Sequence, residues 1–176
     1  MSNECRGFDV LNQPVKTRMR RLASNLTILV SDDDYRFRQK LVEEILQPLQ
    51  FKKLIQAANG TEAWNAFKEH RTDLVFTDFD MPGQCGTELL HNCADLNRSE
   101  GRLPPLGVII SKYEDSVAIR EMLFGLQIQY VAKKTVQGLL DLQTHSSNVT
   151  LPLDKQEEER FWNTILNILQ WAGDVQ

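Results

Sequence analysis

The strongest constraint on the fold of this chain is an alternation. Short apolar, β-prone runs at residues 26–30, 51–57, 74–77, 106–110 and 128–132 are each followed by a stretch of different character. Behind the first, Phe37, Leu41, Ile45 and Leu49 recur at helical spacing with Val42 and Leu46 beside them. Ala63, Ala66, Phe67 and His70 do the same behind the second, and Leu89, Leu90, Cys93 and Leu96 behind the third. Val117, Ile119, Met122, Leu123 and Leu126 follow the fourth. Pro48, Met81-Pro82-Gly83, Pro104-Pro105 and Gly125 fall where elements should stop. Asn59-Gly60-Thr61-Glu62 carries a capping-box pattern, and His70 reads as a helix-end residue near the carbonyl dipole. Runs that are apolar throughout suit strands buried on both faces, and helices between them imply parallel pairing through right-handed crossovers. The expectation is α/β: a doubly wound five-stranded parallel sheet of order 2-1-3-4-5, sandwiched between two helical layers.

A sheet of that order places its chemistry at the C-terminal strand ends, beside the switch point between strands 1 and 3. Asp32, Asp33 and Asp34 follow the first run, Asp78 and Asp80 the third, Ser111-Lys112 the fourth and Lys133-Lys134 the fifth. Acids at a helix start cap it and complement its dipole, which accounts for one of the adjacent aspartates, or two. Three neighbouring carboxylates repel one another unless a cation neutralises them, and a hard divalent ion prefers such oxygen ligands. A phosphoryl group requires a cation, an ammonium and a hydroxyl donor, and a carboxylate can be the nucleophile that receives it.

Bulk properties exclude other classes. A chain of 176 residues with 41% hydrophobic content suits one domain plus an extra element or tail. Its net charge of −4 provides no general affinity for nucleic acid or anionic membrane. Cys5, Cys85 and Cys93 are too few for a disulfide framework, and Cys85, His91 and Cys93 match no usual zinc spacing. No run is long enough to span a membrane and no signal-peptide core opens the chain, so a cytoplasmic location is expected.

The segments Ile28-Leu29-Val30-Ser31-Asp32-Asp33, Asn59-Gly60, Asp78-Phe79-Asp80-Met81-Pro82-Gly83 with Gly86, Ser111, and Tyr130-Val131-Ala132-Lys133 resemble the receiver domain of two-component response regulators. The resemblance covers about residues 26–133, with residues 154–172 as the last helix, and implies the CheY-like, flavodoxin-like fold. Carried over by position, it implies that Asp78 is the phosphoacceptor, charged by a histidine kinase or a histidine phosphotransfer protein. It implies that Asp33, Asp78 and the backbone carbonyl of Asp80 hold Mg²⁺, with Asp32 acting through a water. Lys133 would pair with the carboxylate and then the phosphoryl oxygens, Ser111 would be the switch hydroxyl, and Tyr130 the aromatic whose ring follows it. The face of the fourth helix, fifth strand and last helix would then carry the signal to a downstream protein.

Departures from that pattern set further expectations. Ser31 stands where a second apolar residue is usual, and Lys112 where the residue is usually small. Asp80 and Tyr113 occupy the variable flanking positions that tune phosphoryl lifetime in the family. Lys134 replaces the proline that normally follows the site lysine through a cis bond, which would cost about 3–4 kcal/mol before a non-proline residue. A trans bond and an altered loop are therefore expected.

Residues 1–25 read as an N-terminal extension or linker, either a flexible leader or a helix over residues 15–23 that docks on the domain or on a partner. The receiver would occupy residues 26–176, with an insertion at 135–153 in which Val136, Leu139, Leu140 and Leu142 suggest a short helix. In the last helix Asp154 is the expected cap, and Phe161, Ile165, Ile168, Leu169 and Ala172 form an apolar face. Trp162, Leu166 and Trp171 widen it, either as core or as a docking or homodimer surface. No output segment of helix-turn-helix, cyclase or hydrolase type is legible in the chain, so signalling through protein contacts is expected. The alternatives are a receiver-like binding module independent of phosphate, and a haloacid dehalogenase-like phosphatase. The latter expects Gly-Thr after Asp78-Phe79-Asp80, where Met81-Pro82 stands.

Overall fold

The computed structural model describes residue 8 and residues 11–112, 126–140 and 155–174. Strands β1 (Thr27–Ser31), β2 (Lys53–Ala57), β3 (Leu74–Asp78), β4 (Leu106–Ser111) and β5 (Ile128–Ala132) pair in parallel in the order β2-β1-β3-β4-β5. Burial explains the composition of each. Strands β3 and β4 are buried at every residue, while the edge strands β2 and β5 are partly exposed and carry Lys53, Gln56 and Gln129. Alternate residues face two separate cores. Ile28, Val30, Leu74, Phe76, Val108 and Ile110 pack on one side, and Leu29, Val75 and Ile109 on the other.

The second core is closed by α3 (Gly60–His70) and α4 (Gly86–Ser99), through Ala63, Phe67, Leu89, Leu90 and Cys93. The capping box forms as expected at Asn59, whose side chain accepts from Glu62 N–H at 2.8 Å. The Glu62 carboxylate reaches back to Ala58 N–H at 2.9 Å, one residue before the cap. Cys93 is fully buried in this core, and burial pushes its thiol pKa up, so it is packing rather than a metal ligand.

The first core is closed by α2 and by the last helix, α6 (Lys155–Asp174). Helix α2 is α-helical over Tyr35–Lys40, widens to a π-helix over Leu41–Leu46 and tightens to a 3₁₀ turn over Gln47–Leu49. Pro48 sits in that closing turn, where its missing N–H breaks no α-helical bond, and Gln50 leaves with φ +60°. After β5 comes α5 (Lys133–Leu139), which begins on Lys133 itself. The expected helix in the insertion therefore starts earlier than Val136, and Leu142 and Asp154 lie outside the described residues. No cis peptide bond occurs among the described residues.

The leader reading fails for residues 13–23, which form α1 (Gln13–Ala23). Asn12 caps it by accepting from Val15 N–H at 3.1 Å, and Pro14 stands in the first turn. Met19 and Ala23 are fully buried, and the helix packs on α6 and on the end of α2, where Arg20 Nε donates to Pro48 O at 2.9 Å. Phe8 meets Trp162 edge-to-face at 5.7 Å, so Trp162, 2% exposed, is covered by the chain's own N-terminal segment. The widened stripe of α6 is to that extent core, not a free docking face.

Candidate functional site

Strand register builds the site. Ser31 pairs with Thr77, which sets Asp32 beside Asp78. Asp78 pairs with Ile110, one step before Ser111, and Ser111 pairs with Ala132, one step before Lys133. Beneath the acids the hydroxyl of Ser31 donates to Thr77 Oγ1 at 2.9 Å, a buried polar tie between the two strands. Ser31 is thus more than a tolerated departure from an apolar position.

The acids converge. Asp32, Asp33 and Asp78 each present a carboxylate oxygen within 4.8 Å of the others. Asp34 does not join them: it caps α2, accepting from Arg36 and Phe37 N–H at 3.0 and 3.1 Å. Asp78 accepts from Phe79 N–H at 2.7 Å, and Asp32 from Asp34 N–H at 2.9 Å. Lys133 Nζ bridges the two buried acids, at 2.7 Å from Asp32 Oδ2 and 3.0 Å from Asp78 Oδ2. The turn after β3 is held by Gly83 at φ +85° and by Gly86 N–H donating to Phe79 O at 2.9 Å.

Other expected positions take plainer places. Ser111 is buried, and the Tyr130 hydroxyl donates to its carbonyl at 3.5 Å from a half-buried ring. Asp80, Lys112 and Lys134 are exposed, Lys134 in the first turn of α5, and Tyr113 lies outside the described residues. Two neighbours were missed in the sequence. Arg38 is buried and donates through Nη1 to the Asp32 carbonyl, while Phe37 places its ring 4.5 Å from Lys133 Nζ. Only their helical offset from Asp33 and Asp34 hinted at either.

Burial pushes the Asp32 carboxyl up from 3.8 to about 6; Lys133 opposes the rise by charge and hydrogen bond, and Asp78 adds to it. Lys133 loses affinity for its proton through burial, but Asp32 and Asp78 more than offset this and hold its pKa above the ordinary lysine value. Between pH 4 and 6 the folded chain therefore holds a proton on Asp32 that the unfolded chain has released. Unfolding free energy should fall as pH rises through that window, by on the order of 3 kcal/mol at most. Lys133 contributes below the ordinary lysine pKa and loses its contribution only in alkali, so it does not mask the slope. Urea titrations at pH 4.5 and 7 should show the difference, and Asp32→Asn should flatten it.

Residues 28–142 match the family model of the response regulator receiver domain. Chemotaxis protein CheY-3 of Vibrio cholerae is 31% identical over 134 residues, spanning 76% of this chain and 93% of that protein. An uncharacterized response regulatory protein of Staphylococcus epidermidis is 30% identical over 134 residues, and the chain spans 50% of its length. The fold is shared with a chain of the CheX–CheY–BeF3–Mg²⁺ complex of Borrelia burgdorferi, at TM-score 0.56 and 20% identity, covering 84% of this chain and 88% of that one. The family match runs from β1 through the lysine that joins Asp32 to Asp78, and the chain belongs to the receiver domains of two-component response regulators.

Proposed function

We propose that the chain is a phosphorylatable switch: Asp78 takes a phosphoryl group from a phosphohistidine of a histidine kinase or histidine phosphotransfer protein. The observation that carries this reading is Lys133 bridging Asp32 and Asp78 while Asp33 completes the acid cluster. A carboxylate oxygen of Asp78 attacks phosphorus, the partner's N–P bond breaks, and the leaving imidazole takes a proton from solvent. The acid cluster fits a hard divalent ion, and Mg²⁺ on Asp33, Asp78 and the Asp80 carbonyl, with Asp32 through a water, would neutralise charge on the transferring group. Lys133 is placed to follow the new charge from carboxylate to phosphoryl oxygen.

The product is a dianion in a buried pocket, and it draws on the nearest donors. Ser111 lies one residue beyond the partner of Asp78, and its carbonyl already holds the Tyr130 hydroxyl. Movement at Ser111 therefore reaches Tyr130 and the β5–α6 face, through which the chain would address a downstream protein in the cytoplasm. The chain's only catalysis would be its own phosphorylation and dephosphorylation. The test is intact mass after incubation with Mg²⁺ and acetyl phosphate. Wild type should gain one phosphoryl group and Asp78→Asn none. No gain in wild type would favour a phosphate-independent binding module, and continuous donor turnover a phosphatase.

A further inference from the structure

We infer that Phe37 and Lys40, one turn apart on α2, are positioning residues that seat Lys133; the inference rests on the phosphorylation chemistry proposed for Asp78. The local backbone does little to fix this lysine. Strand β5 ends at Ala132, α5 begins at Lys133 with no side-chain cap, and the four-carbon stem of a lysine samples many rotamers. Beyond its two ion pairs, the further contacts that fix it come from α2. The ammonium lies 4.5 Å from the centroid of the Phe37 ring, whose negative face complements its charge. Phe37 is 1% exposed, so the ring does not drift. At the other end of α5, Lys40 Nζ donates to the carbonyl of Leu140 at 3.1 Å, satisfying one of the orphan acceptors of that helix end. Val136, Leu139 and Leu140 of the same segment are buried in the core that contains Phe37 and Leu41.

One stretch, residues 32–40, thereby places both partners of the Asp32–Lys133 pair. It supplies Asp32 directly, and it holds α5, with Lys133 at its head, by a ring and an ammonium. Plain core packing would also bury Phe37, so the test must change the ring's charge distribution and not its shape. Mono-, di- and trifluorophenylalanine incorporated at position 37 do this, weakening the ring face stepwise.

With Mg²⁺ and acetyl phosphate, the phosphorylation rate should fall at each step, to about tenfold lower for the trifluoro ring, while Mg²⁺ affinity stays constant. A flat series, or a fall shared by Mg²⁺ affinity, overturns the inference for Phe37. A second readout is independent of phosphate. The Lys133 ε-methylene protons should show an upfield ring-current shift by NMR, lost in Phe37→Leu and reduced in Lys40→Met. A normal shift in wild type overturns the ring seat, and an unchanged one in Lys40→Met overturns the role of Lys40. If wild type shows the shift but gains no phosphoryl group, the seat stands and the proposed chemistry at Asp78 fails.

Discussion

Lys133→Met is expected to slow phosphorylation of Asp78 by about 10²- to 10³-fold, the usual effect of removing one preorganised donor from developing charge. Methionine keeps the length of the stem, so what is lost is the ammonium, with its two ion pairs and its place over the Phe37 ring. The stability consequence is separate and depends on pH. Without the ammonium, Asp32 and Asp78 face each other across a buried gap with no bridge. Breaking a buried ion pair by removing one partner commonly costs about 3–5 kcal/mol. Here Asp32 limits the loss by taking a proton, since its carboxyl already titrates at about 6 with Lys133 present. The variant should therefore be less stable than wild type at pH 7.5 by about 2 kcal/mol, and the deficit should shrink towards pH 5 as Asp32 becomes neutral. Urea denaturation at the two pH values measures the second effect, and intact mass after acetyl phosphate the first. A variant phosphorylated at the wild-type rate would remove Lys133 from the chemistry.

The sheet and the acids were legible because both follow from short-range patterns. An apolar run four or five residues long, closed by a carboxylate or a hydroxyl, states where a buried strand ends and what it delivers. Strand β5 falls where expected, and β1, β3 and β4 each run one residue further, onto Ser31, Asp78 and Ser111. What was hidden depends on contacts between distant residues. Met19 and Ala23 keep helical spacing in α1, but Lys16, Arg18, Arg20 and Arg21 surround them and suppress the apolar signal. The ammonium of Lys16 and the guanidinium of Arg20 lie over the Phe8 ring at 5.4 and 5.1 Å in the fold, cation–aromatic contacts that no hydropathy pattern registers. Leu41, Val42, Ile45 and Leu46 fit an α-helix and a π-helix equally well, and only the packed structure distinguishes them. The ring beneath Lys133 is 96 residues away in the sequence from the lysine it faces, and no local rule connects them.

Gly86→Ala tests whether the placement of Asp78 depends on the close approach of α4 to β3. Gly86 is the first residue of α4, and a Cβ there would stand 2.2 Å from the Asp78 carbonyl oxygen and 3.0 Å from Thr77 Cγ2. Two effects compete. Alanine favours helix over glycine by up to about 1 kcal/mol in a helix interior, and by less in a first turn. Overpacking against a fixed neighbour costs about 1–3 kcal/mol and sometimes more, and the neighbour here is backbone, which cannot rotate aside. The clash should win, with a net loss of about 2 kcal/mol or more in urea unfolding. Whatever relieves it must also move function, because the same segment carries the phosphoacceptor and Gly86 N–H is bonded to Phe79 O at 2.9 Å. Phosphorylation by acetyl phosphate should accordingly fall by about tenfold, a misplacement of the nucleophile by a fraction of an ångström being enough. Gly101→Ala is the control. Its Cβ would meet nothing within 4 Å, and only its φ of +71° resists, for about 1 kcal/mol with no change in phosphorylation rate. Equal stability and equal rates in Gly86→Ala would mean that α4 can shift outward without disturbing Asp78, and that the site tolerates a looser frame than its geometry suggests.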